Sequence, residues 1–134
     1  MIESFATHDA FLGMPIKQFL TEYWQKKPLL IRQAFPDYQA PLSPEDQGGL
    51  TCEQGPLSRL VTYQREQDTW HLRNGPFEED EFPTLGHKDW TLLVQDMDKW
   101  DGDIAQLLEA FHFLPRWRID DIMISFAVAG GSVG

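Results

Sequence analysis

His87 and Asp89 sit in the segment LGHKDW at the H-x-D spacing that supplies two legs of a two-histidine, one-carboxylate iron site. Such a site also needs a distant second histidine held opposite, and LGHKDW is a polar loop running into a strand. The pair is therefore read as a chance match. His71 falls in a hairpin and His112 on a helical face, both ordinary surface or packing positions, and His8 lies near the N-terminus. Cys52, the single cysteine, has no histidine in a nucleophile context, so a catalytic thiol is unsupported. Ser125 is not in a G-x-S-x-G elbow, which argues against acyl transfer. Asp120 and Asp121 point to opposite faces of a strand and cannot act together as a glycosidase pair. Gly130, Gly131 and Gly134 follow an apolar run, yet neither dinucleotide nor P-loop spacing is present. The chemistry-bearing residues amount to half a pocket.

The elements that must position these residues follow an α+β pattern. Residues 14–28, MPIKQFLTEYWQKKP, predict a helix with Ile16, Phe19, Leu20, Tyr23 and Trp24 on one stripe, opened by Pro15 and stopped by Pro28. PLLIRQ, residues 28–33, is apolar enough for a strand. Ser43 can cap a short helix that begins at Pro44. SRLVTYQ and TWHLR, separated by REQD, predict a hairpin that Asn74-Gly75-Pro76 closes. The acidic run from Glu78 to Glu81 reads as a solvated loop, WTLLVQ as a strand, and residues 101–114 as a second amphipathic helix carrying Ile104, Leu107, Leu108 and Phe111.

The last segment, RWRIDDIMISFAVAGG, is the most strand-like of all. By parity, Ile122, Ile124, Phe126 and Val128 form a core face, while Trp117, Ile119, Asp121, Met123, Ser125 and Ala127 form a mixed one. That second face is either half exposed or the lining of a cavity. As a lining, Ser125 offers a hydroxyl, Asp121 a carboxylate and Met123 adaptable apolar contact.

The chain has 134 residues, room for one domain with a real core, and 21 acidic against 11 basic residues for a net charge of −10. That balance repels phosphate backbones, so direct nucleic-acid binding is not expected. It attracts a basic protein, or it serves solubility alone. No run is long and apolar enough to cross a bilayer, the N-terminus lacks signal-peptide character, and one cysteine suits a reducing compartment. A cytoplasmic protein without membrane contact is expected.

YWQKKPLLI (residues 23–31), SRLV (58–61), NGPF (74–77), WTLLVQ (90–95) and WRIDDIMISFAVAGGSVG (117–134) occur in this order. From about Phe19 onward they resemble the N-terminal part of the bacterial ribosomal oxygenases of the JmjC/cupin superfamily, the last stretch being the specific one. The resemblance implies an Fe(II)- and 2-oxoglutarate-dependent hydroxylase of an arginine in a large-subunit ribosomal protein (L-sixteen), a basic client. A histidine-directed hydroxylase of the same superfamily is the near alternative. It implies helices and strands over residues 1–115, then the first strand and glycine turn of a double-stranded β-helix (jelly roll) over 116–134. In that family the G-G-x-V-G turn precedes Pro-His-x-Asp, whose His and Asp bind iron. No metal ligand is then expected within these residues, and neither Fe(II) nor 2-oxoglutarate is expected to bind this chain tightly or be turned over by it. Ser125, then Met123 and Asp121, are the residues placed by resemblance against the 2-oxoglutarate pocket. Ser132 replaces a glycine of the family turn, and Ala129 stands where relatives can have proline. An unfinished sheet predicts that the isolated chain either self-associates through residues 118–128 or is one fragment of a longer polypeptide. The reading from another class is a non-catalytic acidic binding module or adaptor that docks through its last strand.

Overall fold

The computed structural model describes residues 10–133, which leaves His8 and Gly134 outside the described residues. The chain divides into two units, residues 1–40 with 102–120, and residues 41–101 with 121–134.

In the first unit, β1 (Ala10–Phe11) and β2 (Met14–Pro15) pair antiparallel through a turn at Leu12 and Gly13. Both turn residues have positive φ, +50° and +84°, the backbone a two-residue hairpin turn requires. Helix α1 (Ile16–Glu22) follows, with Pro15 as its cap residue. It is shorter than the predicted helix because Gln25 turns left-handed at φ +57°. The amides of Tyr23 and Trp24 both reach back to the Phe19 carbonyl, at 3.0 and 2.9 Å, and the Lys26 ammonium donates to the Thr21 carbonyl. A cation at the negative end of the helix is the expected complement. PLLIRQ forms no strand. Pro28 has no amide to donate, Gln33 is left-handed at φ +51°, and Leu30 is 74% exposed.

The second part of this unit keeps the predicted amphipathicity but changes its geometry. An α-turn at Gly102–Ala105 tightens into a 3-10 helix at Gln106–Phe111, with Ile104 and Leu108 buried. Phe113 meets Phe19 edge-on at 5.8 Å, and the Arg118 guanidinium lies 5.7 Å from the Trp24 ring.

The second unit is built on a four-stranded antiparallel sheet. Helix α2 (Pro44–Thr51) opens it with a full capping box: Asp46 N–H donates to Ser43 Oγ, and Ser43 N–H donates to the Asp46 carboxylate, both at 3.1 Å. Ser43→Ala should cost about 1 kcal/mol, the usual worth of such a cap, read from urea unfolding. Strands β3 (Ser58–Gln64) and β4 (Thr69–Asn74) form the predicted hairpin, with Tyr63 stacked on Trp70 at 4.5 Å. With β5 (Trp90–Val94) and β6 (Ile124–Ala127) the order is β4-β3-β5-β6.

Every residue of β5 is buried, as its interior place demands. One face of the sheet packs Leu60, Trp90 and Leu92 against Phe77, flanked by half-buried Phe82, Leu85, Phe126 and Val128. The acidic run is a correction to the sequence reading. It begins a 3-10 helix, Glu79–Leu85, rather than a plain loop. Glu81 accepts from Glu78 N–H and pairs with Arg73 at 2.8 Å, which sets Phe82 and Leu85 over the core. The fold is thus α+β with an antiparallel sheet, as the sequence pattern predicts. No described helix is long and apolar enough to cross a membrane.

Candidate functional site

Strand β6 is shorter than predicted because its approach is used differently. Residues 116–118 form a 3-10 turn after Pro115. Residues 121 and 122 are then tied to helix α3 (Met97–Trp100) and the turn before it. Met97 N–H donates to Ile122 O at 2.9 Å, and Ile122 N–H to Asp98 Oδ1 at 3.1 Å. Asp121 closes the set by accepting from Asp96 N–H at 2.9 Å, where Asp96 is left-handed at φ +56°. This clamp sets the register with which Ile124 meets Val94 and Ser125 meets Leu93.

Parity along β6 holds. Ile122, Ile124, Phe126 and Val128 are half-buried, while Met123, Ser125 and Ala127 are exposed. Met123 and Ser125 therefore share one face, and Asp121 spends an oxygen on the α3 clamp. Gln47 secures the strand from the core side. The residue is 4% exposed, and its side-chain amide donates to Leu92 O at 3.0 Å and Ile124 O at 3.3 Å, across β5 and β6.

The glycine turn is held by an ion pair the sequence reading did not find. The Arg65 guanidinium grips the Asp89 carboxylate with two nitrogens, Nε to Oδ2 at 2.8 Å and Nη2 to Oδ1 at 2.7 Å. Asp89 N–H in turn donates to Ala129 O at 2.9 Å, and Gly131 N–H to Val128 O at 2.8 Å. Gly130 adopts φ +74°, and a side chain there would collide with the Asp89 carboxylate. At Gly131 a side chain would collide with the Trp90 carbonyl oxygen. Both glycines are thus required by local geometry, without any phosphate.

The same pair engages Asp89 of the H-x-D segment. Asp89 is spent on Arg65, His87 is exposed, and no cluster of three or more metal-ligating His, Cys, Asp or Glu residues occurs among the described residues. The Arg65 hydrogen bond holds the Asp89 carboxyl below the usual carboxylate range, against a smaller opposing effect of desolvation. A depressed carboxylate contributes stability above its unfolded value and loses it as pH falls through its folded value. Asp89→Asn should therefore lower Tm at neutral pH, with the gap closing in acid below the ordinary carboxylate range. The gap should also shrink in high salt, because the Arg65 side chain is 62% exposed. Tm measured across pH and salt checks both. Cys52 donates to Gly48 O at 3.4 Å, and partial burial, then the negative charge of Glu79, push its thiol up. That is the opposite of an activated nucleophile. His112 pairs with Glu109 at 3.1 Å on the surface.

No protein-family model matches the chain. The fold does have counterparts among ribosomal oxygenases. Over 116 residues the chain is 43% identical to the ribosomal protein uL16 3-hydroxylase of Escherichia coli (strain K12), a match covering 87% of this chain and 30% of that protein. A probable ribosomal oxygenase of Haemophilus influenzae is 40% identical over 87% of the chain and 28% of its own length. The solved structure of YcfD, a ribosomal oxygenase from Escherichia coli, matches with a TM-score of 0.82 at 42% identity, over 88% of this chain and 32% of that one. YcfD in complex with cobalt and 2-oxoglutarate matches with a TM-score of 0.81. The chain is thus similar, through most of its length, to the N-terminal part of ribosomal oxygenases, and spans about 30% of the length of the relatives it matches.

Proposed function

We propose that these residues are the N-terminal part of an Fe(II)- and 2-oxoglutarate-dependent protein hydroxylase whose client is an arginine of a basic large-subunit ribosomal protein. The observation that carries the reading is the match, at 42% identity, to a ribosomal oxygenase structure that holds cobalt and 2-oxoglutarate. Residues 1–115 are then the α+β lead, and residues 116–134 the first strand and turn of a double-stranded β-helix. Iron and 2-oxoglutarate, when bound, would activate dioxygen, the oxidant: one oxygen atom would enter the substrate carbon–hydrogen bond and the other would leave in succinate as 2-oxoglutarate loses carbon dioxide.

The protein's own part is positioning. Ser125 directs a hydroxyl to the cosubstrate, Met123 lies beside it as an adaptable apolar wall, and Asp121 fixes the approach to the strand. The Arg65–Asp89 pair holds the turn that points the chain onward. No three metal-ligating side chains cluster among the described residues; by the family resemblance, the iron ligands would follow the glycine turn. The net charge of −10 favours a basic client and disfavours nucleic acid.

Full-length polypeptide incubated in air with Fe(II), 2-oxoglutarate and the large-subunit protein should add one oxygen atom to an arginine, read by peptide mass spectrometry. Oxygen on a histidine instead would move the reading to the neighbouring hydroxylases, and no modification would sink it. Residues 1–134 alone should neither turn over nor bind 2-oxoglutarate tightly. The sheet order leaves the outer edge of β6 unpaired within the sheet. This isolated stretch is expected to self-associate through that edge, and a clean monomer by light scattering would contradict that.

A further inference from the structure

The sheet order leaves β4 without a neighbour on its outer side, at the end of the sheet opposite β6. Strand pairing fixes which of its backbone groups are free. Ser58 O accepts from Gly75 N–H at 2.9 Å, while Tyr63 N–H donates the other way, to Asp89 O at 2.8 Å. Polar backbone groups alternate sides along a strand, so Leu60, Thr62 and Gln64 turn theirs to β4. Their partners Arg73, His71 and Thr69 are thereby satisfied. Trp70, Leu72 and Asn74 turn their N–H and C=O groups outward, to the open edge.

The devices that blunt an edge strand are missing from β4. It contains no proline and no lysine, and its six residues pair one for one with β3, without a bulge. Its one permanent charge, Arg73, is neutralised by Glu81 at 2.8 Å. Trp70 and Leu72 share a face and are 44% and 57% exposed, with Tyr63 stacked on Trp70. The other face is acidic. Arg73 lies in the row of Leu60, and its partner Glu81 belongs to the 3-10 helix, so that helix begins on the Arg73 side. Glu78, Glu79 and Asp80 are exposed there, as are Glu66 and Asp68 in the turn before β4. None of these carboxylates has an ion pair among the described residues.

We propose that the open edge of β4 docks an extended segment of the basic protein client as a further strand. Its apolar side chains lie beside Trp70 and Leu72, and its lysines or arginines face Glu78, Glu79 and Asp80. Main-chain hydrogen bonds to Trp70 and Leu72 supply affinity, and the alternation of apolar and cationic side chains supplies selectivity. The net charge of −10 draws such a segment in. Only the assignment to the client rests on the oxygenase reading; the open edge and its two faces do not.

The probe is a short peptide alternating valine and lysine, titrated into the full-length polypeptide, with a valine–glutamate peptide as control. The lysine peptide should bind about tenfold or more tighter than the glutamate one, and more weakly in high salt. On binding, hydrogen exchange should show the Trp70 and Leu72 amides gaining protection, while His71 and Arg73 are protected throughout. Leu72→Pro removes an outward donor without breaking the β3–β4 ladder. It should weaken the lysine peptide about tenfold, with the ligand-free Tm as the check on folding. Leu72→Ala keeps the donor and should fall in between. In hydroxylation of the large-subunit protein, Leu72→Pro should raise KM by a larger factor than it lowers kcat. A lysine peptide that leaves the Trp70 and Leu72 amides unprotected overturns the edge site. Protection of those amides before any peptide is added also overturns it, and protection that grows with protein concentration gives the edge to a second copy. An unchanged KM overturns the assignment to the client. Wild type that hydroxylates nothing counts against the oxygenase reading, and the peptide titration then decides on the edge alone.

Discussion

Leu92→Ala is expected to lower the unfolding free energy by about 2–5 kcal/mol, the usual range for truncating a packed core leucine. Leu92 is 2% exposed and lies on β5, between β3 and β6. It packs in one cluster with Leu60, Phe77 and Trp90, and half-buried Phe82, Leu85, Phe126 and Val128 close around them. The surrounding rings are rigid and belong to different elements, so the site collapses poorly around a smaller residue. The Leu92 carbonyl also accepts the Gln47 amide, so any shift of β5 strains a buried hydrogen bond. Urea unfolding followed by tryptophan fluorescence gives the value, since Trp90 is in the cluster. Leu72→Ala on β4, where the side chain is 57% exposed, should stay within about 0.5 kcal/mol. Equal effects for the two variants would refute the assignment of the core to this face.

Gly131→Val should cost about 1–3 kcal/mol by overpacking, and its effect should concentrate on the turn after β6. The neighbours of a Cβ at Gly131 include the Trp90 and Val128 carbonyl oxygens and, at 2.9 Å, Thr91 Oγ1. Backbone atoms in a sheet cannot swing aside as a long side chain can. The turn must move instead, and with it the bond from Asp89 N–H to Ala129 O. Hydrogen exchange should therefore show lost protection at the Asp89 and Gly131 amides, with β3 and β5 little changed. If those two amides kept wild-type protection, the close approach would have no structural weight. Gly130→Val differs in kind, because there the cost comes from φ +74° and from the movable Asp89 and Arg65 side chains.

Most elements near the candidate site were legible because their signals are local. The Ser43 cap with Pro44, the β3–β4 hairpin around REQD, and the in-out alternation of Ile124 to Val128 each rest on residues close in sequence. The 3-10 helix at Glu79–Leu85 was missed because its acidic start looks like solvent-facing charge. Its stability comes from Arg73 on β4 and from Phe82 and Leu85 meeting the core. PLLIRQ misled in the opposite direction, since apolar composition makes a strand only where a neighbouring strand can pair with it.

The sequence by itself determined the α+β character, the acidic balance, the two-faced last strand and the likeness to ribosomal oxygenases. Periodicity, charge and motif order are properties of the chain alone. The tertiary structure decided the partners of those residues. Asp89 became the clamp of the glycine turn through Arg65, 24 positions away, and Asp121 became the lock of β6 through Asp96. Electrostatic and hydrogen-bond roles depend on separations of a few ångströms, and strand register sets these between residues far apart in the chain.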